Sequence, residues 1–168
     1  MAIKAGKITP CLWFDTKAED AAKLYVSIFS NSRIGRVSRY GKEGFEIHGK
    51  KAGTVMAVEF ELDGQPFLGL NGGPQYKFTE AISFQVPCET QEEIDHFWSR
   101  LTADGGSEGP CGWLKDRFGL SWQVFPSALP KMLMDSDAAK AGRATKAFLK
   151  MKKFDIAALQ RAYEGHAP

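Results

Sequence analysis

The chain has 168 residues, with 22 Lys and Arg against 20 Asp and Glu, and a net charge of +2 gives no bulk attraction to nucleic acid or to membranes. Its 43% hydrophobic and 12% aromatic content can fill a sizeable core and argues against disorder, and the length suits one domain or two intimate halves of one. The opening MAIKAGKITP lacks an apolar h-region, and no run approaches the roughly 18 apolar residues of a membrane span, so the expectation is a cytoplasmic protein with neither membrane nor nucleic-acid partners.

Residues 8–14, ITPCLWF, read as a strand, with Pro10 suited to an edge or a strand start. Thr16 and Glu19 have the spacing of a capping box, and Ala18, Ala21, Ala22, Tyr25, Ile28 and Phe29 follow as an apolar stripe, so a helix is predicted up to Asn31-Ser32. Residues 33–40 give a second strand, 41–53 a loop rich in Gly and Lys, and 54–62, TVMAVEFEL, a third strand. Asp63-Gly64 is a hairpin signal, with 66–71 as the returning strand.

The same grammar then restarts. Residues 81–86, AISFQV, read as a strand with Ile82, Phe84 and Val86 on one face. Thr90 and Glu93 form a second capping box before the stripe Ile94, Phe97, Trp98 and Leu101, and Gly105-Gly106 stops that helix. Short strands are expected near 107–111, 112–116 and 120–126, with a turn at 116–119. Repetition of strand, capped helix and three strands is the main architectural signal. It predicts an α+β fold: a single domain over 1–168, built of one βαβββ module at 8–75 and another at 80–126. The two modules are expected to form an open curved sheet with a cleft.

Beyond Pro126 the pattern turns helical, over 128–134, 137–151 and a last helix capped by Asp155, giving a C-terminal helical extension at 127–168. Its Lys and Arg residues lack aromatic interleaving and any RNA-binding motif, so they read as a solvated face rather than a nucleic-acid arm.

The segments ITPCLWFDTKAEDAAKLYVSIF at 8–29, FLGLNGGP at 67–74, CGWLKDRFGLSWQVFP at 111–126 and MKKFDIAALQRAY at 151–163 resemble the PhnB-like branch of the glyoxalase, bleomycin-resistance and extradiol-dioxygenase superfamily, the vicinal oxygen chelate proteins. WLKDRFGLSWQ is the most specific piece. Proteins of this branch often carry the name 3-demethylubiquinone-9 3-methyltransferase. The resemblance implies paired βαβββ modules, a cleft inside a curved sheet, and a homodimer. It also implies metal-ligand places on the first and last strands of each half, which by motif alignment and parity fall near Thr9, Gly69, Ala81 and Gln123.

Only Gln123 among those places carries a good donor, and a shift of one residue from Thr9 gives Pro10, which is no better. His48 in a loop, His96 on the second helix and His166 in the tail read as ordinary surface residues, so no metal and no cofactor are expected. The faces sharing the four places carry Cys11, Trp13, Asn71, Ser83, Gln85, Ser121 and Gln123, with Trp113 on a neighbouring strand. These are the candidate ligand-binding residues, for a small, partly apolar molecule. No catalytic residue is assigned. Cys11 reads as a packed thiol, since no His base accompanies it, and Asp116-Arg117 as turn structure. The Gly-rich turn from strand to helix that S-adenosylmethionine enzymes commonly use is missing, because Gly72-Gly73-Pro74 opens no helix and Gly105-Gly106 follows one. The leading function is a metal-free small-molecule binder. A lyase, isomerase or dioxygenase of the superfamily, the methyltransferase of the family name, and an interaction module with a filled barrel stay open.

Overall fold

A computed structural model of the chain describes residues 8–166. The chain divides into two compact units, one ending at Lys77 and the other beginning at Phe78. Each contains one four-stranded sheet, and the two sheets repeat the same strand order.

In the first unit the elements run β1 (Cys11–Phe14), α1 (Ala18–Ile28), β2 (Arg33–Arg39), the short helix α2 (Phe45–His48), β3 (Val55–Leu62) and β4 (Gln65–Asn71). The sheet order is β1-β4-β3-β2, with β1 parallel to β4 and the other pairs antiparallel. Alternation along β1, β3 and β4 sends Leu12, Phe14, Val58, Phe60, Leu62 and Phe67 to one buried face. Helix α1 buries Ala18, Ala21, Ala22, Tyr25 and Ile28, and Tyr25 and Phe60 lie 6.1 Å apart ring to ring, so the stripe covers that face. The approach is close at Gly69, where an added Cβ would sit 3.2 Å from the Ala18 Cβ. The hairpin turn is built by Asp63 at φ 45° and Gly64 at φ 76°, the paired left-handed geometry that an Asp-Gly dipeptide favours.

The first capping box does not form. The N-cap of α1 is Lys17, with no side-chain cap of its own. Asn71 at the end of β4 does that work, its Oδ1 accepting the Ala18 N–H at 2.9 Å. The expected loop at 41–53 includes the single helical turn α2, and Ile8 is 90% exposed ahead of a strand that starts only at Cys11.

The second unit runs β5 (Ser83–Cys88), α3 (Gln91–Thr102), a 3-10 turn (Ala103–Gly105), β6 (Ser107–Glu108), β7 (Trp113–Lys115), β8 (Ser121–Pro126), α4 (Leu129–Leu133), α5 (Ala138–Phe148) and α6 (Ile156–Glu164). Its order, β5-β8-β7-β6 with β5 parallel to β8, is that of the first sheet. Here the capping box is complete: the Thr90 side chain accepts the Glu93 N–H, and Glu93 Oε2 accepts the Thr90 N–H at 3.2 Å. Ile94, Trp98 and Leu101 are buried with Val86, Leu114, Trp122 and Val124. Ile82 does not join them. It precedes β5 and is 70% exposed, so the alternation starts with a half-buried Phe84 and is fully buried only from Val86.

The helical segment after Pro126 is bound into this unit. Cys111 N–H and Gly112 N–H donate to Met151 O at 2.7 Å and Lys152 O at 2.8 Å. The Gln91 amide bridges the same stretch, donating to Phe154 O and accepting from Ile156 N–H. Phe154 is buried beside Phe148. Asp137 caps α5 and Asp155 caps α6. Arg143 is no solvated cation: its guanidinium donates to the carbonyls of Ala162 and Tyr163 at the end of α6.

Candidate functional site

In the first unit, β1 sends Cys11 and Trp13 to the sheet face away from α1. Parallel register pairs Trp13 with Leu70 and Phe14 with Asn71, and residues in register project to one side. Asn71 therefore lies on the helix face with Phe14, against the expectation that it shares a face with Trp13. Its amide is occupied there, accepting from Ala18 and donating to Val55 O at 3.1 Å. Gly69 is turned to the same side. The parity assigned to β4 from sequence is off by one, and Leu68 and Leu70 are the residues that accompany Trp13.

The Trp13 indole lies across Gly72, where an added Cβ would fall 2.1 Å from the ring, and its Nε1–H donates to Gly73 O at 2.8 Å. Tyr76 meets it edge-on at 5.0 Å. Cys11 is exposed, not packed as expected, while desolvation of its sulfur raises the thiol pKa. A protonated thiol without a neighbouring base is a poor nucleophile. Farther out on this face Arg33 and Arg36 pair with Glu61 and Glu59 at 2.8 and 2.6 Å.

In the second unit, Ser83, Gln85, Ser121, Gln123 and Trp113 fall together by register: Ser83 faces Ser121, Gln85 faces Gln123, and Gln123 faces Trp113. All five lie on the face opposite Phe84, Leu114 and Trp122. Gln123 Nε2 donates to Ser83 Oγ at 2.8 Å. Ser121 is fully buried, and its Oγ is the one buried side-chain polar atom among the described residues with no hydrogen-bond partner. Ser121 is among the residues that line a cavity of about 480 Å³, with Trp113, Lys115, Ser107, Glu80 and Glu108. Lys115 pairs with Glu80, whose carboxyl is held below its ordinary range by the Lys115 hydrogen bond. Glu108 accepts the Trp98 indole N–H at 2.8 Å and so is tied to α3.

Sequence reasoning missed Lys115, Glu80 and Ser107. Lys115 was legible, being two residues along β7 from Trp113. Glu80 precedes its strand, and no periodicity reports its reach. Asp116 is a turn residue, as read: its buried carboxylate accepts from Phe118 N–H, Leu120 N–H and the Trp122 indole at 2.8, 3.1 and 2.9 Å.

No group of three or more His, Cys, Asp or Glu residues among the described residues is placed to hold a metal ion. His48 Nδ1 accepts the Lys50 N–H at 2.9 Å and its ring packs on Tyr40 at 4.6 Å, so it serves its own loop. No helix of the described residues is long and apolar enough to cross a membrane.

Two units with one strand order, each a mixed sheet with a helix on one face, define a protein of the vicinal oxygen chelate class. Residues 6–125 match the model of the 3-demethylubiquinone-9 3-methyltransferase family, and the chain belongs to that family, the PhnB-like branch of the superfamily. The Bacillus cereus PhnB protein, which carries the same methyltransferase name, is 38% identical over 71% of this chain and 98% of its own, with a TM-score of 0.60. Protein PA1353 from Pseudomonas aeruginosa is similar in fold at 16% identity, covering 73% of this chain and 98% of its own, with a TM-score of 0.56. The fosfomycin resistance protein FosX from Listeria monocytogenes, at 18% identity, covers 79% of this chain and 100% of its own with a TM-score of 0.51, and shares the fold alone. No curated protein matches the chain.

Proposed function

We propose that the chain binds a small, partly apolar molecule and does so without a catalytic metal. The observation that carries this reading is Ser121. A buried hydroxyl without a partner costs roughly 1–3 kcal/mol, and here its residue lines a cavity together with the indole of Trp113. A bound ligand would satisfy it. In the first unit, taken by itself, Cys11 and Trp13 on the sheet face away from α1 are proposed as further ligand-binding residues. The absence of metal chemistry rests on the residues at the family's ligand places, where Thr9 and Ala81 supply no imidazole or carboxylate, and neither do Leu68 and Leu70, which stand on that face in place of Gly69.

The methyltransferase activity in the family name finds no support in the strand-to-helix turns. The links before α1 and α3 are Asp15-Thr16-Lys17 and Glu89-Thr90, without the glycine that brings backbone N–H groups up to a nucleotide. Gly72-Gly73 leads from β4 towards β5, with no helix between. The protein is further proposed to act as a cytoplasmic homodimer. The support is its family, its free cysteines, and apolar side chains such as Ile82 and Tyr76 left 70% and 67% exposed.

Native mass spectrometry of protein taken directly from cells, with metal analysis of the same sample, tests all of this. The expected result is a dimer carrying an organic ligand and well under one transition metal per chain. A stoichiometric metal lost in Gln123→Ala would overturn the metal-free reading. A monomer would overturn the dimer, and saturable S-adenosylmethionine binding with methyl transfer to a quinol would establish the methyltransferase instead.

A further inference from the structure

The register of the second sheet sets four polar side chains in one line. Ser83 of β5 pairs with Ser121 of β8, Ser121 with Lys115 of β7, and Lys115 with Ser107 of β6. Residues in register across adjoining strands project to one face, so three hydroxyls and an ammonium share the face away from α3. The next line along the strands is Gln85, Gln123 and Trp113. Neither line contains a carboxylate.

The Lys115 ammonium and the Ser121 hydroxyl find no acceptor among the side chains of the sheet itself. Ser83 Oγ accepts from Gln123, which leaves its own O–H to donate. Ser121 Oγ has no partner at all. The Lys115 ammonium is met by one carboxylate, that of Glu80, which comes from ahead of β5 rather than from the sheet. The other acid at the cavity, Glu108, is held by Trp98. A buried hydroxyl beside an ammonium makes its strongest bonds to an ionised oxygen acceptor. The body of the cavity is different in kind, since the indole of Trp113 offers a flat apolar wall one residue pair away.

We propose that the ligand of this cavity is a small carboxylic acid with a flat apolar body, its carboxylate on the Ser121–Lys115 line and its ring against Trp113. The inference rests on the reading that the cavity binds a small molecule, and adds the charge and shape of that molecule. Glu80 stands in for the ligand's carboxylate at Lys115, and an incoming acid competes with it. Because Ser121 exposes none of its surface, binding has Lys115 exchange Glu80 for the ligand, which opens the neighbouring hydroxyl to the same carboxylate.

The test uses 2-naphthoate and 2-naphthamide, a pair alike in shape and different in charge. Each is titrated into the full chain while the indole N–H signals are followed by NMR, with Trp113→Phe to assign the reporting signal. Naphthoate is expected to bind roughly tenfold or more tightly than the amide, the value of a hydrogen bond to a charged group. Lys115→Gln should abolish the difference, and Glu80→Gln should tighten naphthoate binding without altering the amide. Ser121→Ala should weaken naphthoate binding while leaving thermal stability equal or higher, which a purely structural serine would not do. Equal affinities, or a preference that survives Lys115→Gln, would overturn the acid inference and leave the cavity reading standing. Failure of both probes to bind at millimolar concentration, with the fold intact, would overturn both.

Discussion

Asn71 caps a helix that begins 53 positions before it. Its Oδ1 takes the N–H of Ala18 at 2.9 Å, while its Nδ2 holds Val55 O and its own carbonyl accepts the Tyr40 hydroxyl at 2.7 Å. One residue at the end of β4 thereby ties down the start of α1 and the start of β3 through its side chain, and the residue after β2 through its main chain.

Removing that amide should be costly, and removing the apparent local cap should not. Asn71→Ala is expected to lower stability by about 1–3 kcal/mol in urea unfolding, because it strips a helix cap and leaves buried backbone groups unpaired. Thr16→Ala is expected to change it by less than about 0.5 kcal/mol, the range of surface substitutions. Thr90→Ala, which breaks a capping box that does form, should cost about 1 kcal/mol. Equal effects at Thr16 and Asn71 would contradict the long-range cap.

Asp116 organises the β7–β8 turn from inside. Asp116→Ala removes three acceptor contacts and leaves the Trp122 indole N–H buried without its partner. A loss of about 3 kcal/mol or more is expected. Asp116→Asn keeps the shape and one oxygen and should lose less. Denaturation midpoints of the two variants check the order.

Trp13 requires a glycine beneath it. Gly72→Ala would place a methyl within the van der Waals radius of the indole. The ring must then leave Gly73 O and Tyr76. The expected sign is a changed Trp13 fluorescence maximum, read against Trp13→Phe, together with a loss of roughly 1–3 kcal/mol typical of overpacking.

The cysteines should separate by burial. Cys88 is 1% exposed, and burial, then Glu93 and Glu89, push its thiol from the ordinary 9.0 up to about 12. The folded chain keeps that proton where the unfolded chain releases it. Stability attributable to Cys88 is therefore intact below 9.0 and lost as pH rises from there towards 12. Cys88→Ala should flatten the alkaline fall relative to the parent. Iodoacetamide at neutral pH is expected to label Cys11 while sparing Cys88, with mass spectrometry of peptides as the readout.

The repeat of the two modules was legible because it is written in local signals. Alternation marks β3 and β8, Thr90 and Glu93 mark the start of α3, and Asp63-Gly64 marks the hairpin. Each depends on neighbours a few residues apart. The errors arose where distant residues decide. Thr16 and Glu19 have the right spacing, but Asn71 reaches the free N–H groups of α1 first. The face of Asn71 and Gly69 was misjudged because an apolar run such as FLGL has no alternation to fix its parity. Only the pairing of Phe14 with Asn71 does so. In the second sheet Ser83, Gln85 and Gln123 alternate with Phe84, Val86 and Trp122, and there parity read correctly.

The bridge from Gln91 to the main chain at Phe154 and Ile156 governs the order of events during synthesis. The first module has every strand of its sheet once residue 71 has left the ribosome. The second cannot close when its own last strand emerges, because the N–H groups of Cys111 and Gly112 and the Gln91 amide await partners at 151–156. Sheet and helix α3 must be held in a partly made state until residues 151–156 have emerged, with the apolar surface that Phe154 later covers open to solvent. A nascent chain that has emerged past residue 126 but not as far as 151 would therefore carry one finished module and one adhesive, protease-sensitive one.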